Sequence, residues 1–452
     1  MPSSTRRDVL RAGAALAAGI AVSPRDQLAI ATPTDVGEKP GRWDHEHTFG
    51  HTRLFMDEYH QGSLKILGRI SGELPLVGEL TSRAARTMQA GRTVWTSMNS
   101  GHMPHWEQRA DRRGSPGVMK DHGKDQFARL QKGDMVFTNF CDRHVKAARD
   151  RGVYVVAVTV AYIDNEFRPE GFTDESHSNP DGLKLKDVSN VILHSHVPYT
   201  QGLVHAPEIP EFALCPSSQT GLGALHWMLN AELANKLAHP KAPAVEKSAE
   251  YLRVLTTRVK KLSAHRAQIR EAAVTMAHRI RSGGRWFVRG LEHKGFASEM
   301  EHVACGARVV NEGDWSATRR RNVMLITAIS PAYRPEVELA LKHQVEGAFV
   351  IGIGPSSSDG RKPDASLLDV CDSGFDSFSP ESGGVIKIDG RAKSVCPTSG
   401  VVANILQQML CAQWVDEMVR RGSVPYFFMG AYQQGGNEYN AAMTLLYKRQ
   451  GF

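Results

Sequence analysis

Laid over each other without a gap, Cys215–Ala231 (CPSSQTGLGALHWMLNA) and Cys396–Ala412 (CPTSGVVANILQQMLCA) share seven of seventeen residues. Unrelated segments of ordinary composition would share roughly one. The coincidence implies an internal duplication with a period of about 180–190 residues. Solenoid repeats are several times shorter, whereas a whole domain has this size. The match continues upstream in the same order. Gly91-Arg92 corresponds to Gly284-Arg285, Met135–Thr138 to Met324–Thr327, Gly152–Val158 to Gly347–Ile353, and Asp187-Val188 to Asp369-Val370. Whatever this chain folds into must be buildable twice.

The segments between these landmarks predict one series of elements in each half. A helix (Leu80–Met88; Ala267–Arg281) ends at a glycine and leads into a buried strand (Thr93–Thr96; Arg285–Val288). Another strand follows (Met135–Thr138; Val323–Thr327), then a helix (His144–Arg149; Glu336–Lys342) and a strand (Val153–Thr159; Ala348–Ile353). A short strand, Val191–Leu193 in the first half, precedes the long helix after each Cys-Pro. In that helix Leu222, Leu225, Leu229 and Leu233 recur at helical spacing and predict one buried stripe. Short apolar strands alternating with helices predict an α/β fold, a parallel sheet with helices on both faces in each half. Ligands of such sheets bind at the carboxyl ends of strands, beside helix N-termini.

The 452 residues divide accordingly. Two prolines near His239–Glu246 separate a first domain (51–242) from a second (247–452) that carries the C-terminal tail. Segment 1–31 has the order of an export signal: Arg6-Arg7, the short apolar run Ala12–Val22, then Ala29-Ile30-Ala31. Paired arginines predict the twin-arginine route, hence a periplasmic or cell-envelope location. Segment 32–50 reads as polar and loosely ordered. Eleven apolar residues cannot cross a bilayer, so no stable membrane span is expected. A net charge of +7 favours anionic ligands only mildly, and no dense basic run interleaved with aromatics points to nucleic acid. The six cysteines form no CxxC pair and read as buried free thiols.

The duplicated order of elements resembles two tandem sugar isomerase (SIS) domains, of flavodoxin-like fold, across about Leu54–Arg421. Ser100-Gly101-His102 with Glu107, His177 with Gly182–Leu185, and Val188–Pro198 are similar to stretches of one SIS subfamily; Gly290–His293 with Glu299 occupies the matching place in the second half. The resemblance implies a sugar or sugar-phosphate ligand, no cofactor, and a homo-oligomer. For aldose–ketose isomerisation it implies Glu107 and Glu299 as base and His102 and His293 as acid or ring opener, roles that need pKa values tuned toward neutrality. It also implies a phosphate cradle of hydroxyls. The first cradle position is Met103 in one half and Lys294 in the other, and only Lys294 could pair with phosphate. The second cradle is Thr138-Asn139 in the first half and Thr327 with Ser330 in the second.

Three functions stay open on the sequence: a sugar isomerase, a non-catalytic binder of a carbohydrate derivative, and a metal-dependent enzyme. The binder is favoured for the first half by Met103. The metal reading rests on His45, His47 and His51, on His102, His105 and Glu107, and on His194 and His196, which alternation would place on one face of a strand. None has an established ligand spacing, and no metal is assigned. Ser217-Ser218 and Thr398-Ser399 open the long helices and either cap them or donate to a ligand; Ser218 and Ser399 are the ligand candidates. Asn437 and Glu438 belong to a tail that could close over a sugar. Gly352–Gly354 lacks the spacing of a dinucleotide loop, and no GxSxG elbow suggests a serine hydrolase.

Overall fold

The computed structural model describes residues 54–98, 103–121, 124–159, 181–198, 201–242, 245–290, 306–307, 320–357, 365–380, 383–430 and 435–452. The first half runs α1 (Phe55–Ile70), α2 (Leu74–Gln89), β1 (Val94–Ser97), α3 (His105–Gln108), β2 (Lys120–Asp121), β3 (Met135–Thr138), α4 (Arg143–Asp150), β4 (Tyr154–Val158), α5 (Leu185–Val188), β5 (Val191–Leu193), β6 (Gly202–Val204), β7 (Leu214–Pro216) and α6 (Ser218–Ala238). The second half runs α7 (Glu246–Lys261), α8 (Arg266–Arg281), β8 (Trp286–Arg289), β9 (Val323–Thr327), α9 (Arg334–Val345), β10 (Phe349–Gly354), α10 (Leu367–Val370), β11 (Ser373–Asp376) and α11 (Ser399–Arg420), followed by the tail helix α12 (Gly436–Gln450).

Each half holds one wholly parallel sheet, ordered β2-β1-β3-β4-β5 in the first and β8-β9-β10-β11 in the second. Every residue of β3 and of β9 is buried, as a sheet covered on both faces requires. Alternation divides each strand between two cores. Met135 and Phe137 face a central cluster, while Val136 faces an outer one with Val145, Ala148, Leu185 and Val188 from α4 and α5. In the second half Val323 and Leu325 face the same central cluster, while Met324 and Ile326 face Ala340 and Leu367 from α9 and α10. The central cluster thus belongs to both sheets. Its helices lie between them, and the expected fold class, a helix-covered parallel sheet in each half, is present twice.

The alternation corrects the sequence alignment of the second strands. Val94 pairs with Met135, and Trp286 pairs with Val323. Asp134 accepts from the Thr93 N–H at 3.0 Å, and Asn322 accepts from the Arg285 N–H at the same distance. Met135 is therefore equivalent to Val323 and not to Met324, so Thr138 matches Ile326 and Asn139 matches Thr327. A slip of one residue moves a side chain to the other face. The identity of Met135 and Met324 is chance, since they face different cores. Gly91 likewise matches Gly283, with φ of 74° and 90°.

The repeated Cys-Pro holds in detail. Cys215 and Cys396 adopt φ of 63° and 61°, the left-handed region that residues with a Cβ seldom enter. A narrow hairpin enforces it. Added Cβ atoms on Gly202 and Gly384 would lie 2.1 Å from the Ala213 carbonyl oxygen and 2.2 Å from that of Ser394. The chain then turns directly into the long helix, where the Tyr59 and Tyr251 hydroxyls donate to the carbonyls of Pro216 and Pro397 at 2.8 and 2.9 Å. Cys141, Cys215, Cys396 and Cys411 are buried thiols, as expected, and Cys371 is half-buried; none of the five forms a disulfide with another described cysteine.

The long helices are not amphipathic. Instead of one leucine stripe, every residue from Ser218 to Lys236 in α6 is buried, and so is Ser399 to Val419 in α11. Their surroundings explain it. Helix α2 packs on α6 and α8 on α11, within each half, but α1 lies along α11 and α7 along α6, across the halves. The expected single or double helix of Lys247–Arg281 is the pair α7 and α8, broken by the 3-10 turn Leu262–His265.

Candidate functional site

Glu107 sits on α3, and its carboxylate accepts the Trp227 indole N–H and the Arg112 Nε–H, both at 2.8 Å. Arg112, with no side-chain exposure, also donates to Ser399 Oγ at 3.1 Å and to the Arg113 carbonyl at 2.9 Å. A Cβ on Gly400 would lie 2.2 Å from Glu107 Oε2. The carboxylate therefore lies against the first turn of α11, where backbone N–H groups favour negative charge. Burial pushes the Glu107 carboxyl above its ordinary range, and the Arg112 charge, the Trp227 bond and the Arg112 bond offset this only in part. His226, edge-on to Trp227, is driven down to about 3 by burial and by the Arg112 charge, so it stays neutral.

Arg113 carries the contact further and donates to Ser330 Oγ at 2.6 Å. The Cys396 N–H donates to the Gly114 carbonyl at 2.7 Å. Residues 107–114 of the first half thereby strap onto the second half at the end of β9 and the start of α11. Three residues singled out in the sequence, Glu107, Ser330 and Ser399, meet around this strap. The others are spread out. Thr138 donates to the Ser97 carbonyl at 2.9 Å and accepts from the Phe140 N–H, which closes the first-half cradle on itself. Asn139 is buried beside it. Ser218 donates to the Gln201 side chain at 3.0 Å, and Thr327 to the Arg289 carbonyl at 3.5 Å. Met103 is buried in the central apolar cluster, as befits a side chain with nothing to offer phosphate. His102, His293, Lys294 and Glu299 lie outside the described residues.

Neither long helix is capped by its serine or threonine. Ser217 and Thr398 occupy the N-cap positions without a capping bond. Ser217 donates instead to the Gln201 carbonyl at 2.7 Å, and Thr398 accepts from the Arg258 guanidinium.

Arg258 opens onto a cleft of about 280 Å³ beyond the carboxyl ends of β10 and β11, lined by Arg258, Lys261, Ser356, Ser357, Asp376, Phe378, Ser379 and Pro380. The volume is near the lower end for small-ligand pockets, about 300 Å³. Asp376 accepts from Ser356 Oγ at 2.7 Å and from the Phe378 N–H at 2.8 Å, which fixes the far wall. The Lys261 ammonium stands 5.7 Å from the Phe378 ring centroid. Ser379 Oγ lies 3.3 Å from Thr398 Oγ1, so the cleft adjoins the start of α11 above Glu107 and Arg112.

Reading along the sequence for motifs missed Arg258, Lys261 and Asp376, yet comparison of the halves reveals them. Tyr59 and Tyr251 are equivalent, which puts Ile66 opposite Arg258, and Ile66 is buried. Val158 pairs with Leu193 as Ile353 pairs with Phe375, which puts His194 and His196 opposite Asp376 and Phe378. These histidines follow β5 instead of sharing a face of it, and the His196 ring meets Glu73 at 2.9 Å. Among the described residues no group of three His, Cys, Asp or Glu side chains is placed to hold a metal ion. His45, His47 and His51 lie outside the described residues. Asn437 and Glu438 are exposed on the first turn of α12, which is anchored by Tyr439 against Phe212.

The fold and cleft define an α/β protein of two fused, helix-covered parallel sheets with one open cleft described in its second half. No family model matches the chain. A UPF0309 protein of Shouchella clausii is 21% identical over 219 residues, which is 40% of this chain and 87% of that protein. Among solved structures, a candidate phosphosugar isomerase of Clostridium difficile is 12% identical, with a TM-score of 0.47 over 82% of this chain and 96% of that one. The C-terminal domain of glucosamine-fructose-6-phosphate aminotransferase from Francisella tularensis is 9% identical, with a TM-score of 0.44 over 84% of this chain and 99% of that one.

Proposed function

We propose that this protein binds a sugar or sugar derivative in the cleft beyond β10 and β11. The observation that carries this reading is the cleft itself. It combines serine hydroxyls and a carboxylate, which suit sugar hydroxyls, with the Phe378 ring, at the strand ends where α/β sheets receive ligands. A thermal-shift screen of sugars and sugar phosphates, followed by mass analysis of each stabilising compound, tests it. A rise in melting temperature is expected, and no stabilisation by any member would refute binding.

Turnover is the second reading. It is supported by the Glu107 carboxyl, raised by burial toward the range a proton-transfer base requires, beneath the N-terminus of α11. Glu299 is the proposed base, His293 the proposed acid and Lys294 a proposed ligand-binding residue of the second half. Glu299→Gln should abolish conversion while binding persists; unchanged conversion would remove Glu299 from this role. Delivery through the twin-arginine route belongs to the same proposal, on Arg6-Arg7 and the apolar run that follows.

A further inference from the structure

Arg258 is a half-buried cation with no acidic partner among the described residues. Its guanidinium donates to Thr398 Oγ1, and among the described residues no carboxylate lies within ion-pairing distance of it. Burial lowers its pKa, as expected where a charge loses water without gaining an anion. Lys261, one helical turn along α7, is exposed at the same cleft and also makes no ion pair among the described residues. The one carboxylate lining the cleft among the described residues, Asp376, is turned to Ser356 and the Phe378 N–H. Among the described residues the cleft thus presents two positive charges and one carboxylate, which makes hydrogen bonds to Ser356 and to the Phe378 N–H. A desolvated guanidinium without a counter-charge is costly, and an anionic ligand removes the cost. The first half has Ile66 in this place, so the feature belongs to one half only.

We infer that the Arg258–Lys261 wall is an anion subsite that takes the phosphate, or another tetrahedral dianion, of the ligand. It lies two strands from β8, whose end the sequence resemblance would associate with the first cradle, and it uses guanidinium and ammonium groups in place of hydroxyls alone. The inference deepens the proposed sugar reading and rests on it for the remainder of the ligand. The anion itself can be tested separately, with inorganic phosphate as the probe.

The experiment titrates the full chain with inorganic phosphate, with glucose 6-phosphate and with glucose, by calorimetry at fixed ionic strength. Phosphate should bind the parent protein and compete with glucose 6-phosphate if that ester binds. Arg258→Met should weaken phosphate by about 10–100-fold, the loss expected for a charge-assisted hydrogen bond. Lys261→Met, at an exposed position, should weaken it by a smaller factor and keeps the test valid if Arg258→Met fails to fold. Raising the salt concentration should weaken phosphate more in the parent than in either variant. Phosphate that binds while no sugar binds would uphold the subsite and refute the sugar reading. Phosphate that fails to bind, or binds both variants as it binds the parent, would overturn the subsite even if neutral sugars bind.

Discussion

Glu107→Ala removes the only carboxylate that, among the described residues, pairs with the Arg112 guanidinium, which has no exposed side-chain surface. Arg112 would retain the Ser399 hydroxyl and the Arg113 carbonyl but no counter-charge, and the Trp227 N–H would lose its acceptor. Breaking a buried ion pair from one side costs about 3–5 kcal/mol, against about 5–15 kcal/mol for the stability of a whole domain. The loss should be felt by both halves, because Glu107 and Arg112 lie in the first and Ser399 and Gly400 in the second. Urea unfolding followed by tryptophan fluorescence and far-ultraviolet circular dichroism measures it. Arg112→Met should also be costly, since it strands the carboxylate. The double variant should be less destabilised than the two losses added together, with a coupling of about 1–3 kcal/mol. If each single change costs under about 1 kcal/mol, or if the two losses simply add, the pair is not what joins the halves here.

Three further outcomes follow from the same region and from the N-terminus. Gly400→Ala should destabilise the parent, because its Cβ meets the Glu107 carboxylate at 2.2 Å, yet be tolerated in the Glu107→Ala background; equal costs in both backgrounds, again by urea unfolding, would contradict that packing. His226 falls from 6.5 unfolded to about 3 folded, so its neutral form contributes stability that is present above pH 6.5 and lost as pH falls toward 3. The full shift corresponds to roughly 5 kcal/mol, and His226→Gln should flatten the pH dependence of stability in that window; an unchanged profile would refute the assignment. Replacing Arg6 and Arg7 by lysine in the full chain should stop its delivery across the membrane, read by cell fractionation; unimpaired delivery would exclude the twin-arginine route.

The cleft and the strap show how far a repeat can be read. The Cys215 and Cys396 segments were recognisable because the same hairpin-to-helix turn constrains both copies. The strand core was harder. MVFT and MLIT align by identity, but the pleat places Met135 and Met324 on opposite faces, and a linear comparison has no access to facing direction. Glu107 stood out by its place relative to Glu299, but nothing near it in sequence announced Trp227, Ser399 or Gly400 as neighbours. Arg258 was legible only as a difference between copies, an arginine where the first half keeps a buried isoleucine.

The amino-acid sequence by itself determined the duplication, the order of strands and helices in each half, and the burial of the cysteine turns, because each depends on periodicity or on a local backbone requirement. Only the tertiary structure decided that α1 and α7 cross to the opposite half, that the two long helices are buried all round, and that Arg112 and Arg113 reach across to Ser399 and Ser330. Except for α7 on α6, which are close in sequence, those outcomes depend on contacts between residues more than a hundred positions apart, where close packing and the pairing of buried charge, and no local pattern, select the partner.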